Sequence, residues 1–315
     1  MRSVAECPVC SEPKGGARPV RVPDRMFNHC RRCDLRWVEL SESTETLSFD
    51  LTHYRDKLEF RGWSFEASVL EYMKLFAELP HSSGERFLEI GPGNGEVLEA
   101  AHRLGLRCTA FDVDESALSR VQHVSDVELI AGSLSRESFG ERTYDIIFSN
   151  NVIEHIPRPI EFLRGTRALL ANGGRVWVSC PNVASYEARI LHSYWPQYAP
   201  VDHVRLYSPR ALAWAMERAG LEVDRVWTGE GDFDFPLTML AGARNFLLRK
   251  RALNGGLSAN AYGGGAPIPK GRPLRTLMTL VYKGAPVLGI PFAYVSPRFG
   301  AAQHLRALAS KPRKA

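Results

Sequence analysis

Long unbroken apolar runs are missing from this sequence. The most apolar stretch, residues 277–295, is interrupted by Lys283, Pro286 and Pro291. A membrane-crossing helix needs about 20 mostly apolar residues, so a spanning segment is excluded. The opening residues, MRSVAECPVC, hold no apolar core of the kind a secretory leader carries. A strong charge of either sign is missing too: 40 basic side chains face 35 acidic ones, for a formal charge of +5. That excess implies no strong field for nucleic acid, and Lys311-Pro312-Arg313-Lys314 reads as a frayed end. No internal repeat is present. Cysteine is scarce, with 6 in 315 residues, and 4 of the 6 fall into two C-x-x-C pairs. That arrangement argues against a disulfide framework and for metal in a reducing compartment, which places the chain in the cytoplasm.

What is present suits one sizeable domain and something smaller, at 44% hydrophobic residues. Residues 1–40, rich in Cys, Pro and Arg, read as a compact metal-held unit. Residues 41–84 read as a helical linker or lid, with Phe65, Val69, Met73 and Phe76 at helical spacing. Residues 85–315 read as one larger domain, in which strands and helices alternate from Arg86 to about Gly231. Strands are expected at 86–90, 107–112, 127–131, 144–149, 175–180, 221–227 and 303–309. Helices are expected at 96–104, 115–122 and 160–171, and another opens with Ser208 as cap and Pro209 in the first turn. Alternation of this kind predicts an α/β fold, a parallel sheet covered by helices on both faces. Residues 232–300 break the rhythm and read as an insertion before the last strand.

Cys7-Pro-Val-Cys10 and Cys30-Arg-Arg-Cys33 form a C-x2-C-x19-C-x2-C pattern. Two such pairs supply four thiolates, the preferred tetrahedral set for structural Zn²⁺, with no position left open for water. Metal binding would supply folding energy that a unit this small does not obtain from its own core. Cys108 and Cys180 fall inside expected strands and read as core residues.

The most informative stretch is a buried strand running through Glu89-Ile90 into Gly91-Pro92-Gly93-Asn94-Gly95 and then a helix. Glycines allow the backbone to turn sharply and a ligand to lie directly on it. The dinucleotide pattern G-x-G-x-x-G needs glycine at position 96, which is Glu96. About twenty residues on, the second strand ends at Asp112, where an acidic side chain meets ribose hydroxyls in such sheets. Asp114 reads as the residue that starts the following helix.

Glu89, Gly91, Gly93 and Gly95 together make E-x-G-x-G-x-G, which resembles motif I of the class I S-adenosylmethionine-dependent methyltransferases. Ser149-Asn150-Asn151-Val152-Ile153-Glu154-His155-Ile156 resembles the xxVLEHV segment of their small-molecule members. The resemblance covers about 86–228. It implies a Rossmann-like seven-stranded methyltransferase sheet behind a small N-terminal zinc ribbon, with S-adenosylmethionine as cofactor. Donor contacts would come from the motif I residues, Asp112 and Asn150. The loop carrying Ser133 and Leu134 lies along the adenine in that family, where an Asp often stands instead.

Methyl transfer to a hydroxyl needs a proton acceptor, and histidine titrates near neutrality. His155 and His203 are the candidates; the second stands in a segment, His203-Val-Arg205-Leu-Tyr207-Ser208, that resembles the HxRxF/YS border of the family's acceptor pocket. Tyr54 is expected either in a lid over the donor or as a buried joint between modules. The apolar runs 236–248 and 277–295 either cap the acceptor pocket or, with Arg249-Lys250-Arg251, touch an anionic membrane surface.

The resemblance implies O-methylation of a small molecule, sugar or lipid-linked glycan precursor. Two other readings stay open. One is a zinc-ribbon RNA methyltransferase, with Arg31, Arg32 and Arg36 suited to phosphate; the other is a non-catalytic protein that keeps the donor fold. The Asn/Asp-Pro-Pro-aromatic signature of amino-group base methyltransferases is missing, Asn150-Asn151-Val152-Ile153 standing in its place.

Overall fold

Phe87, Leu88, Glu89 and Ile90 are consecutive and all buried, so both faces of their strand are covered, as in the middle of a helix-clad parallel sheet. The computed structural model describes residues 6–13, 19–22, 25–40, 65–77, 79, 81–200, 202–228, 238–243, 245–246 and 301–312. Around strand β4 (Arg86–Ile90) are built β5 (Arg107–Asp112), β6 (Glu128–Ala131), β7 (Tyr144–Asn150), β8 (Leu170–Pro181), β10 (Glu222–Thr228) and β11 (His304–Ser310). Their order across the sheet is β10-β11-β8-β7-β4-β5-β6. Chain order reverses between β4 and β7, and open α/β sheets bind ligands at the carboxyl ends of the strands flanking that point.

All pairings from β6 across to β8 are parallel, whereas β11 is antiparallel to both its neighbours. The sequence pattern predicts a parallel sheet, and this strand departs from it. Thr228 at the end of β10 pairs with Leu305 at the start of β11. The chain therefore leaves and re-enters the sheet at one edge, which permits antiparallel pairing without a crossover. That edge is the carboxyl one, so residues 229–303 depart from and return to the ligand side.

Helix α1 (Phe65–Ala77) buries Val69 and Phe76, and the Phe76 ring lies 5.6 Å from Phe87 and 5.5 Å from Phe148. Helix α2 (Glu96–Arg103) follows the glycine loop, and α3 (Glu115–Leu118) follows β5 with Asp114 as its cap, accepting from the Ser116 amide at 2.9 Å. Helices α4 (Arg136–Phe139), α5 (Pro159–Leu169), α6 (Tyr186–Leu191) and α7 (Pro209–Arg218) complete the cover. Ser208 caps α7 as expected, accepting from Ala211 at 3.2 Å. No helix among the described residues is long and apolar enough to cross a membrane.

The cysteine-bearing segment forms β1 (Val20–Arg21), β2 (Met26–His29) and β3 (Arg36–Trp37), and its sheet takes a fourth strand, β9 (Arg205–Leu206), from the region between β8 and β10. Its interior is continuous with the larger domain: Cys10, Cys33, Leu35 and Trp37 share one apolar core with Tyr207, Leu212 and Met216. A unit too small to bury a core of its own thus borrows both a strand and a core.

Candidate functional site

Gly91, Gly93 and Gly95 all have positive φ, +72°, +57° and +89°, the left-handed region that glycine enters without steric cost. A Cβ on Gly91 would lie 2.6 Å from Val152 Cγ2, while one on Gly93 would meet nothing within 4 Å. Gly91 is thus required by the protein's own packing. Gly93 keeps one side of the loop open, as a backbone cradle for a ligand requires.

Beneath this loop lies Glu89, 2% exposed. Burial, reinforced by the nearby Glu96 charge, pushes its carboxyl well above the ordinary range, while the Leu98 amide donates to it. The same carboxyl thereby caps α2, whose own cap residue Gly95 has no side chain to offer. Glu89 Oε2 has no hydrogen-bond partner among the described residues, an orphaned acceptor at the place where a polar ligand would be met.

At the end of the neighbouring strand, the Asp114 amide donates to Asp112 Oδ1 at 2.9 Å and orients that carboxylate. Burial raises the Asp112 pKa, and the Asp114 amide partly offsets the rise. Farther along the edge, Ser133 is exposed and its Oγ lies 2.8 Å from Ser135 Oγ, with Leu134 packed on the core. On the other side of β4, Asn150 Nδ2 donates to the Tyr72 hydroxyl at 3.1 Å. All the sequence-predicted donor residues therefore stand at the carboxyl ends of four adjacent strands, β7-β4-β5-β6, or beside them. Nothing in the sequence points to Tyr72 beyond its place on α1, one position before Met73.

His155 and His203, 48 positions apart, come together with ring centroids 4.9 Å apart. His155 Nδ1 lies 3.1 Å from the Asp202 carbonyl and 3.3 Å from its carboxylate, and His203 Nδ1 lies 2.9 Å from the Gln197 carbonyl. A carbonyl oxygen only accepts, so both rings carry their proton on Nδ1 and present Nε2 as the basic nitrogen. Burial holds the His155 pKa below its ordinary value, with the Asp202 charge opposing. The ring is neutral at neutral pH.

Glu154, 1% exposed, completes the cluster, its Oε1 4.0 Å from His155 Nε2. Burial raises its pKa to about 8, and its Oε2 has no hydrogen-bond partner among the described residues. One ligand atom from each of Glu154, His155 and His203 lies within 4.8 Å of the others. Such a set can accept a proton or hold a divalent cation, for which imidazoles oriented through the other ring nitrogen are well suited.

The second ligand set is the cysteine cage. Its four sulfurs lie within 4.8 Å of one another, with Cys7 Sγ 3.5 Å from Cys33 Sγ and Cys10 Sγ 3.4 Å from Cys30 Sγ. A tetrahedron with metal–sulfur bonds of about 2.3 Å has edges of about 3.8 Å, whereas a disulfide is about 2.05 Å long, so the donor set fits a metal. Both knuckles turn alike: the Ser11 amide donates to Cys7 O at 2.9 Å and the Asp34 amide to Cys30 O at 2.8 Å, each from a residue with positive φ. Cys108 and Cys180 are buried in β5 and β8, as expected of core residues.

Tyr54 lies outside the described residues, as does most of 232–300. Of that stretch, Thr238 Oγ1 donates to Gln303 at 3.0 Å and the Phe246 ring lies 5.3 Å from Tyr194.

Residues 60–226, more than half of the chain, match the family described as methyltransferase domain. A ubiquinone biosynthesis O-methyltransferase of Nitrosococcus oceani is 31% identical over 194 residues, covering 54% of this chain and 80% of that protein. Another so named, from Aeromonas salmonicida, is 31% identical over 152 residues, covering 44% of this chain and 64% of that one. Among solved structures, a S-adenosylmethionine-dependent methyltransferase of Archaeoglobus fulgidus aligns with TM-score 0.50 at 17% identity, over 82% of this chain and 99% of that one. A chain from the Haloferax volcanii complex of the Trm112 methyltransferase activator with a methyltransferase aligns with TM-score 0.52 at 16% identity, over 85% and 100%. The strand order, the glycine loop and these matches agree: the chain belongs to the methyltransferase-domain family and is a class I S-adenosylmethionine-dependent methyltransferase.

Proposed function

We propose that the enzyme methylates a hydroxyl oxygen of a small-molecule, glycan or lipid-linked acceptor, with the donor on the Gly91–Gly95 loop and the acceptor over His155 and His203. The observation that carries this reading is the histidine pair, its rings 4.9 Å apart with both Nδ1 atoms committed to backbone carbonyls. A hydroxyl is a poor nucleophile until its proton is removed, and a positioned imidazole is the usual means. The O-methyltransferase names of the relatives near 30% identity support the same choice of atom.

When bound, S-adenosylmethionine supplies a methyl group on a positively charged sulfur. Asp112 accepts from ribose hydroxyls, and Glu89, Ser133, Leu134 and Asn150 line the remainder of the donor's bed. Nε2 of His155 or His203 takes the acceptor's hydroxyl proton, and Asp202 behind His155 stabilises the imidazolium that results. Cys7, Cys10, Cys30 and Cys33 would hold a structural Zn²⁺.

A second reading rests on the closeness of Glu154, His155 and His203: a divalent cation held there lowers the acceptor hydroxyl's pKa in place of a protein base. Calorimetric titration with S-adenosylmethionine, on wild type and Asp112→Ala, tests the donor site; binding is expected in the first and lost in the second. Labelled-methyl transfer is then measured on hydroxylated nucleotide sugars, lipid-linked glycans and quinone precursors. Products methylated on nitrogen or carbon would overturn the proposal. Activity abolished by a chelator and restored by Mg²⁺ or Mn²⁺, with the cysteine-bound metal retained, would select the second reading.

A further inference from the structure

Arg205 is not among the candidate donor residues, yet its charge is almost fully buried, at 6% exposure. Among the described residues no carboxylate pairs with it. Its guanidinium instead gathers three backbone carbonyls: Nη1 donates to Val38 O and Val204 O, both at 2.8 Å, and Nη2 to Pro157 O at 2.9 Å. Nε is buried without a hydrogen-bond partner among the described residues.

These carbonyls belong to three different segments. Val38 is where the chain leaves β3 and the cysteine unit. Val204 follows His203, and Pro157 closes the turn that carries His155. The segments are cross-tied, because the Val38 amide donates to Val204 O at 3.0 Å and the Val204 amide to Glu154 O at 2.9 Å. β3 itself pairs with β9, Arg36 opposite Leu206 and Trp37 opposite Arg205. From the far side, α7 grips both knuckles: Arg218 donates to Cys10 O at 3.4 Å and Arg210 to Arg31 O at 3.5 Å.

A buried guanidinium satisfied only by neutral carbonyls still needs a compensating charge nearby. Four thiolates around a divalent cation carry a net charge of −2, whereas four thiols carry none. Burial works against the Arg205 charge, and the cage lies in the same core as the neighbours of Arg205 on either side, Cys7 sharing it with Tyr207 and with Trp37, the β3 residue opposite Arg205.

We propose that Arg205 is a positioning residue that couples the metal-loaded cysteine cage to the His155–His203 face, so that the acceptor side depends on that metal while the donor side does not. The assignment of that face to the acceptor rests on the proposed function; the coupling itself does not.

The test uses the full-length, zinc-loaded protein and reads the ¹⁵N shifts of the two imidazoles by NMR, beside calorimetric affinity for S-adenosylmethionine. In wild type, both rings are expected as the Nδ1–H tautomer. Arg205→Met should broaden or shift both ring signals while donor affinity stays within about threefold and bound zinc is retained. Arg205→Lys, which keeps the charge but not the three-carbonyl geometry, should give an intermediate spectrum. Withdrawal of zinc from wild type should move the same ring signals and again spare donor binding; this arm decides if Arg205→Met does not fold.

Unmoved ring signals in folded Arg205→Met or in zinc-free wild type would overturn the proposal, as would donor affinity collapsing in step with them. Neither readout involves an acceptor or turnover, so a failed search for O-methylation would sink the proposed function and leave this result standing.

Discussion

Alanine at Gly91 and alanine at Gly93 should fail for different reasons. Both positions are left-handed, at +72° and +57°, and an alanine held there costs about 1–2 kcal/mol. At Gly93 the cost stops there, because a Cβ meets nothing within 4 Å. At Gly91 the Cβ would lie 2.6 Å from Val152 Cγ2, and overpacking of this kind adds about 1–3 kcal/mol. With roughly 2 °C lost per kcal/mol in a chain of this size, Gly93→Ala should lower the thermal midpoint by about 2–4 °C and Gly91→Ala by about 4–10 °C. The donor separates them further. Saturation at about 100 times its Kd adds about 2.7 kcal/mol to the folded state, or roughly 5 °C in midpoint. If the donor lies on the loop as proposed, the added methyl at Gly93 would enter its space, so Gly93→Ala should lose most of this rise while remaining the better folded of the two. Differential scanning fluorimetry with and without S-adenosylmethionine measures both quantities. A full donor-induced rise in Gly93→Ala would refute the inference that the loop's open side is the donor's bed.

Four further outcomes are expected. Burial holds Glu154 at about 8 against an ordinary 4.5, so between those values the folded state keeps a proton that the unfolded chain has released. Stability should therefore fall as pH rises through that window, and Glu154→Gln should flatten the slope in urea midpoints collected from pH 5 to 9. Asp145 is lowered mainly by its hydrogen bonds from Arg86, so its contribution is present above the unfolded carboxylate range and lost as pH falls through the lower folded value. The pair is 40% and 30% exposed and worth at most about 1 kcal/mol, which Asp145→Asn should show as a small shift confined to neutral pH. His155→Gln should lower kcat by about 10²–10⁴-fold with donor affinity unchanged if it is the general base; equal loss in kcat and donor binding would place it elsewhere. Cys33→Ser should abolish stoichiometric zinc and expose buried Trp37, read as a red shift in tryptophan emission.

Much of the sheet was legible because its strands are short apolar runs between glycine-bearing turns. Several strand ends differ from the expected ones by a residue, and the start of β8 by five. Asn172-Gly173-Gly174 reads as a break before a strand at 175, yet β8 begins at Leu170. Leu170 pairs with Tyr144, and a register shift between Tyr144 and Ile146 absorbs the extra residues, with Gly173 at φ +75°. The glycines make an irregularity within the strand instead of ending it. The direction of β11 was hidden for another reason, since a strand's residues record its burial and not its polarity relative to neighbours.

The candidate donor residues share one sheet edge because each sits at or beside the carboxyl end of a strand, where local pattern fixes position. The His155–His203 face obeys no such rule. His155 and His203 meet because Val204 bonds back to Glu154 and β9 is held in a sheet with β3, a tertiary arrangement with no local signature. Their tautomers are set by the Asp202 and Gln197 carbonyls, and the backbone offers the same group at every position. The burial that makes Glu154 a reluctant carboxylate is likewise a property of what packs over it. Sequence thus reveals a site supported by one element at a time, such as the glycine loop. It conceals one that exists only when separate elements dock, and here the docking runs through the cysteine unit and the buried guanidinium of Arg205.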